Sequence, residues 1–224
     1  MSIFQNSRLR YKKLLIIALP IFIALVVMLF LSYNAILDSF GSENTISSKN
    51  EKKYDIESMD YHLRSNATEY QITLFEELNE AIKENNEQKI VESVAKNFIA
   101  DVYTWTNKED MWDVGGMSYV YSKYKTTTYF EIRDTLYQLM ARTKRIFPEE
   151  GQIEVKGIEI LYCNKNDDLF EIEEKKYESY DLGCSINLIG PDNVVGQISK
   201  NLYLTIIKNT DKDGRYEIVV SYGD

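Results

Sequence analysis

The side chains that most often carry chemistry in proteins are scarce in this sequence. There are two cysteines, Cys163 and Cys184, and one histidine, His62. A structural zinc site uses four Cys or His ligands, so these three residues cannot complete one. A lone histidine also lacks the partners of a nucleophile–base–acid triad. The sequence therefore predicts neither a metal site nor nucleophilic catalysis.

A carboxylate acting as a base is the remaining route to an enzyme. An aspartate in a closed pocket can do this, and Asp101, Asp113 and Asp134 are candidates that nothing in the sequence ranks. The Gly115-Gly116 pair lacks the spacing of a dinucleotide-binding or phosphate-binding loop. We therefore predict no catalytic residue, no cofactor and no bound metal.

The cysteines are predicted to remain free thiols. Cys184 alternates in phase with Leu182 and Ile186, whereas Cys163 is out of phase with the neighbouring Tyr162. If the apolar residues of both strands face one core, the two thiols point to opposite sides of the sheet. Thiols on opposite sides cannot form a disulfide, although a location outside the cytoplasm would permit one.

Charge is distributed very unevenly along the chain, whose net charge is -9. Four of the 26 basic residues, Arg8, Arg10, Lys12 and Lys13, precede the first acidic residue. The rest of the chain therefore has 22 basic residues against 35 acidic ones. Such an acidic excess repels a phosphate backbone, so direct nucleic-acid binding is not expected.

The basic tail, residues 1–13, is followed by an uncharged run that is almost wholly apolar. This run continues to position 35, and a helix over 14–35 would span roughly 30 Å, the thickness of a bilayer core. The four basic residues orient such a helix with its N-terminus in the cytoplasm. A cleaved signal peptide is the alternative, but the run is longer than a signal core and the site after it is poor.

Residues 36–64 are polar and aperiodic, which is typical of a linker, and His62 is expected to be a surface residue. Residues 65–224 are predicted to form one folded domain outside the cytoplasm. It begins with about three helices: one after a Thr68–Gln71 capping box, one near 87–105 and one near 128–146. The buried side of the third helix is predicted to be Phe130, Ile132, Leu136, Leu139 and Met140.

Alternation with period two then predicts four strands, near 153–162, 180–188, 194–208 and 216–222. Gly157 coincides with a shift of phase, which predicts a β-bulge and a bent strand. The segment FEIEEKK is predicted to be a solvated loop. The fold class is α+β, a cone of helices packed on a curved four-stranded antiparallel sheet.

Aromatic residues are concentrated between the second and third helices. Trp112, Tyr119, Tyr121 and Tyr124 lie close together there, and protein interfaces are enriched in such residues. We predict a partner-binding surface at these four positions.

The order of elements resembles the VirB-eight-like and TcpC-like scaffold subunits of type IV secretion and conjugation machines. The resemblance lies in VAKNFIADVYTW for the long helix and in IEVKGIEILY, YDLGCSINL, NLYLTIIKN and YEIVVSYGD for the strands. The Asn-Pro-x-Gly turn of many members is replaced by NTDKDGRY, so no binding residue is transferred.

The resemblance implies a nuclear-transport-factor-two-like fold on a single-pass protein of the bacterial cytoplasmic membrane. It also implies a non-enzymatic scaffold that forms homo-oligomers and binds other membrane channel subunits. Two alternatives remain open. One is an anchored ligand-binding or enzymatic domain that uses an apolar pocket. The other is a ring-forming envelope protein of sporulation or division.

Overall fold

A computed structural model describes residues 55–56, 59–146 and 152–223 of the chain. The predicted tail and helix, 1–13 and 14–35, lie outside these residues. None of the helices in the described part is long and apolar enough to cross a membrane.

The folded unit begins earlier than the predicted boundary at residue 65. Strands β1 (Asp55–Ile56) and β2 (Tyr61–His62) form a short antiparallel hairpin. Tyr61 is fully buried, and its hydroxyl donates to the Tyr216 carbonyl at 2.7 Å and accepts from the Tyr216 N–H at 3.1 Å. The end of the predicted linker is therefore part of the domain, because this buried ring is bonded to the sheet. His62 is partly exposed, in agreement with its prediction.

Helices α1 (Glu69–Lys83) and α2 (Glu87–Tyr103) follow, close to their predicted bounds. The capping box is confirmed, because the Thr68 hydroxyl accepts from the Gln71 N–H and the Gln71 side chain accepts from the Thr68 N–H. The Asn86 side chain caps α2 by accepting from the Lys89 N–H at 3.1 Å. Helix α2 contacts all four strands of the main sheet and forms the centre of the core.

The third helical segment differs from its prediction in its start and in one residue of its buried side. It comprises α3 (Lys125–Ile132), a π-helical turn (Arg133–Tyr137) and α4 (Gln138–Ile146). Tyr137 and Met140 are buried, whereas Phe130 is 39% exposed. The other predicted residues, Ile132, Leu136 and Leu139, are partly buried and pack against the core, so only Phe130 departs from the predicted side.

The predicted four-stranded antiparallel sheet is confirmed, with strand order β3-β6-β7-β8. Its strands are β3 (Glu154–Lys165), β6 (Ser179–Ile189), β7 (Asn201–Asn209) and β8 (Arg215–Gly223). The predicted strand 194–208 is shorter than expected, because Asp192–Val195 form the short helix α5. The sequence FEIEEKK is not a loop. Strands β4 (Phe170–Ile172) and β5 (Lys175–Tyr177) form a hairpin there, and it buries Ile172 and Tyr177.

The ladder between β3 and β6 contains two register shifts. The one before Gly157 agrees with the predicted bulge. The second, at Leu161, places Cys163 opposite Leu182 and therefore on the same face as Cys184. The predicted opposite orientation was wrong, but both cysteines are free. They are diagonal neighbours on adjacent strands, about 7–8 Å apart, which is beyond the usual disulfide distance.

Tyrosine hydroxyls bind the outer edges of the sheet at two points. Tyr61 binds Tyr216 of β8 as described above. At the opposite edge the Tyr70 hydroxyl of α1 accepts from the Ile158 N–H of β3 at 3.0 Å.

Replacing Tyr61→Phe should lower the free energy of unfolding by about 1–3 kcal/mol, because two buried backbone groups of Tyr216 lose their partner. Tyr222→Phe, at a side chain 59% exposed, is the matched control and should leave stability unchanged. Urea denaturation followed by tryptophan fluorescence measures both. Equal stability of the two variants would contradict this role of the Tyr61 hydroxyl.

The thiols should react slowly in the folded protein. Burial raises the pKa of Cys163 to about 11 and the pKa of Cys184 to about 12. At pH 8 only about one Cys163 in a thousand is then a thiolate, and the reaction rate should rise with pH up to 11. A thiol reagent should titrate two groups per chain in denaturant without reductant. A count of zero would show a disulfide.

Candidate partner-binding surface

The segment 104–124 connects α2 to the third helical segment and is fixed to the sheet at both ends. At its start, the backbone N–H of buried Trp105 donates to the carbonyl of Ile153, directly before β3, at 2.7 Å. Near its end, the Tyr121 N–H donates to the Ile218 carbonyl of β8 at 3.0 Å. The segment is therefore held as a defined structure rather than as a free loop.

A cluster of charges beneath this segment fixes its middle. Asp101, on the last turn of α2, accepts from Lys108 Nζ at 2.8 Å and from the Gly116 N–H at 2.6 Å. Arg64 Nε lies 3.3 Å from the same carboxylate, and Arg64 Nη2 donates to Asp113 Oδ1 at 2.6 Å. One helix, the chain before α1 and both halves of the segment therefore meet at one carboxylate.

The electrostatics of this cluster keep Asp101 ionised. Burial alone would raise the pKa of Asp101, but the charges of Lys108 and Arg64 and the Gly116 N–H outweigh burial and lower it. Burial lowers the pKa of Lys108, whose side chain is fully enclosed, and the Asp101 charge opposes this. The pair stays together because each charge is the main compensation for burying the other.

The Gly115-Gly116 pair allows the backbone of this segment to approach α2 closely. A Cβ on Gly115 would lie 2.3 Å from the Asp101 carbonyl oxygen. Gly116 has φ +83°, and a Cβ there would lie 2.7 Å from Phe98 and Val102 of α2. The pair therefore lets the backbone pack on α2, consistent with the absence of a phosphate-loop spacing.

An exposed aromatic cluster lies above this base, and we call Trp112, Phe130 and Arg133 the Trp112 surface. Trp112 is 58% exposed, and the Arg133 guanidinium lies 4.6 Å from its ring centre and 4.5 Å from that of Phe130. The Tyr129 hydroxyl donates to the Trp112 carbonyl at 2.9 Å. Asp134 binds Arg133 Nε at 2.6 Å. The arginine is thus held between two rings before any partner binds.

The π turn positions one residue of the Trp112 surface and one residue of the core. Arg133 begins the turn and points to the surface cluster, whereas Tyr137 ends it and is buried. The Tyr137 hydroxyl donates to the Val102 carbonyl at 3.1 Å and accepts from the Gly115 N–H at 3.1 Å. Tyr137 therefore ties the third helical segment to the same loop that carries Trp112.

The four predicted surface residues separate into two groups. Trp112 is exposed and Tyr124 is half-buried, but Tyr119 and Tyr121 are only 2% and 5% exposed. Tyr119 stacks on Tyr61 with ring centres 5.4 Å apart, so its ring belongs to the core. Tyr121 packs against the β4–β5 hairpin.

Sequence reasoning missed Phe130 and Arg133. Phe130 was assigned to a buried face, and no local signal revealed the π turn. The membrane-orienting residues Arg8, Arg10, Lys12 and Lys13 lie outside the described residues.

Each of the three aspartates named as a possible base is engaged in an ion pair. Asp101 and Asp113 are engaged by Arg64, and Asp134 binds Arg133 on the surface. A cavity of about 10 Å³ beside Arg64 and Asp101 has room for at most one water molecule. A groove of about 260 Å³ between α1 and α2 is lined mainly by charged side chains: Glu77, Glu80, Glu84, Lys89, Glu92 and Lys96.

Among the described residues no group of acidic, Cys or His side chains could hold a metal ion. Comparisons with protein-family models, with curated proteins and with solved structures give no match to this chain. The proposed function therefore rests on the exposed residues of the Trp112 surface.

Substitutions in the charge cluster should be costly singly and less costly together. Asp101→Asn should lower the free energy of unfolding by about 3 kcal/mol, because it leaves buried Lys108 without its nearest anion. Lys108→Met should be destabilising as well. The double variant should lose less than the sum, since it removes both buried charges.

The exposed pair Lys123–Glu173 is the control for this cycle. Lys123→Met and Glu173→Gln should change stability little, because surface ion pairs contribute little. Urea denaturation of all variants measures the coupling. Additive losses at Asp101 and Lys108 would show that the cluster does not act as one unit.

Proposed function

We propose that this chain is a non-enzymatic, membrane-anchored scaffold subunit of a conjugative, type IV secretion-like channel. In this proposal residues 14–35 anchor it in the bacterial cytoplasmic membrane, and the described domain lies outside and binds other channel subunits. The order of helices followed by a bulged four-stranded sheet supports a nuclear-transport-factor-two-like fold.

The Trp112 surface is the observation that carries the proposal. Tryptophan and arginine are the residue types that most often dominate binding energy at protein interfaces. Arg133 is already ordered by two rings and Asp134, so a partner does not pay for ordering this long side chain. The segment that carries Trp112 is fixed from beneath by Asp101. An exposed tryptophan on a segment held by ion pairs and hydrogen bonds suits a preformed docking site.

The acidic charge of the domain supports a protein partner over a nucleic acid. The cavity and groove described above also favour a scaffold over the alternative of an apolar ligand pocket. Small-molecule sites are commonly 300–1,000 Å³ and mostly apolar. The cavity beside Asp101 is far smaller, and the groove between α1 and α2 is polar.

Disrupting the Trp112 surface should impair transfer without unfolding the chain. In a strain that depends on this locus for conjugation, deletion of the gene should abolish transfer and the wild-type chain should restore it. The double variant Trp112→Ala/Arg133→Ala should lower transfer at least about tenfold and co-purify fewer channel subunits from solubilised membranes. A chain without residues 1–35 should not restore transfer.

Leu169→Ala is the matched control, since Leu169 is 53% exposed and lies apart from this surface, just before β4. It should restore transfer fully. Unchanged transfer after gene deletion would refute the scaffold role. Normal co-purification by the double variant would refute the Trp112 surface as the docking site.

A further inference from the structure

The outer face of the main sheet, opposite α2, has a covered half and an open half. The β4–β5 hairpin covers one half, where Ile207 and Glu217 are fully buried. On the other half Tyr162 is 40% exposed and Tyr222 is 59% exposed. Large aromatic side chains on an open sheet face indicate a contact surface.

Strand register assembles three aromatic side chains, Tyr162, Tyr203 and Tyr222, into what we call the tyrosine row. Tyr162 pairs with Gly183 of β6, and Gly183 pairs with Tyr203 of β7. Tyr203 pairs with Tyr222 of β8, and the two rings stack with centres 5.2 Å apart. A Cβ at Gly183 would lie 2.4 Å from the Tyr162 ring, so this ring covers the one position of the row that has no side chain.

Two carboxylates flank the tyrosine row, one on each side. Asp181 lies two residues before Gly183 on β6. Glu159 of β3 pairs with Ser185, which lies two residues after Gly183. Positions two residues apart on a strand share a face, and so do directly paired positions. Both carboxylates therefore lie on the same side of the sheet as the three rings.

In the described part of the chain, no lysine or arginine forms an ion pair with Asp181 or Glu159. The basic side chains of the four strands are bound to other carboxylates: Lys156 to Glu154, Lys165 to Glu178, Lys208 to Glu87 and Arg215 to Glu217. Asp181 accepts from the Thr205 hydroxyl at 2.7 Å, but a neutral donor leaves its charge in place. The open half of the face is therefore both aromatic and negatively charged.

We propose that the tyrosine row and its two flanking carboxylates bind an extended, basic segment of a partner protein. Carboxylates without a cation of their own attract lysine and arginine side chains. The faces of tyrosine rings attract the same cations. An acidic partner is repelled here, and so is a phosphate backbone.

The register defines the spacing of basic residues in such a segment. Asp181 and Ser185, the residue paired with Glu159, are four residues apart on β6, which is about 13 Å along the strand. An extended chain covers the same distance in four residues and turns every second side chain to one face. Basic residues four positions apart therefore reach both carboxylates. The residue midway between them lies over the tyrosine row, where an apolar side chain packs on the rings.

The size of the patch suits a short segment rather than a folded domain. Four strands about 4.8 Å apart and five residues of about 3.3 Å rise give a patch of about 14 Å by 16 Å. This area is far below that of a stable interface between folded proteins, which is about 800 Å² per partner. The patch shares no residue with the Trp112 surface, so the inference does not depend on the proposed function.

A photoreactive peptide tests the site and the spacing together. The probe is Lys-Thr-Bpa-Thr-Lys, in which Bpa is benzoylphenylalanine, with both ends blocked. The control, Lys-Lys-Thr-Thr-Bpa, has the same composition and charge but places its lysines on opposite faces. Irradiated with the full chain at low salt, the probe should form at least about threefold more adduct than the control, since only the probe reaches both carboxylates.

Mass spectrometry of proteolytic peptides locates the adduct, which should lie on the four strands of the main sheet. Equal yields from the two peptides would overturn the proposed spacing and with it the proposal. So would an adduct found only outside the sheet, or no adduct at all.

Removing the two carboxylates tests whether they recruit the probe. Glu159→Gln/Asp181→Asn should lower the adduct at least about threefold at low salt, and the difference should shrink as salt screens the charges. The new amide at position 181 can still accept from the Thr205 hydroxyl. Glu76→Gln/Glu80→Gln removes two exposed charges from α1 as the matched control and should leave the adduct unchanged. Equal losses in both variants would show attraction to the acidity of the whole chain and refute this site.

Discussion

The carboxylate of Asp101 is the interaction on which the rest of the domain depends. It lies where α2 ends and receives Lys108, Arg64 and the Gly116 N–H. These groups come from chain segments that share no regular secondary structure, so hydrophobic packing alone would not fix their relative positions. The Asp101 carboxylate does so by accepting from Lys108 and from the Gly116 N–H and by pairing with Arg64, which also binds Asp113. The same bonds hold the segment that carries Trp112 against α2.

Much of the fold could be predicted because its signals are local. The Thr68–Gln71 capping box and the period-two strands are determined by residues that are close together in the sequence. The bulge at Gly157 was predictable because glycine marks the change of phase. The bulge at Leu161 carries no such residue, and it reverses the face of every position after it on β3. For that reason the orientation of Cys163 was wrong although its free state was right.

The candidate surface was only partly predictable from composition. Trp112 was included because aromatics are concentrated in its segment, and it is exposed, whereas Tyr119 and Tyr121, included by the same argument, are buried. Their burial depends on Tyr61 and on the β4–β5 hairpin, which are distant in sequence. Arg133 was missed because it depends on the π turn. Tyr137 ends that turn, and its hydroxyl forms hydrogen bonds with Val102 and Gly115. Helical periodicity in the sequence does not reveal such a tertiary contact.

The tyrosine hydroxyls at the two outer strands limit how the sheet can be extended. An edge strand offers unpaired N–H and carbonyl groups that can template a further strand from another molecule. Tyr61 occupies both groups of Tyr216, and Tyr70 occupies the N–H of Ile158. At these positions an incoming strand finds its hydrogen bonds already taken. Fibrous, amyloid-like growth is thereby obstructed in a protein that contains many β-branched and aromatic residues.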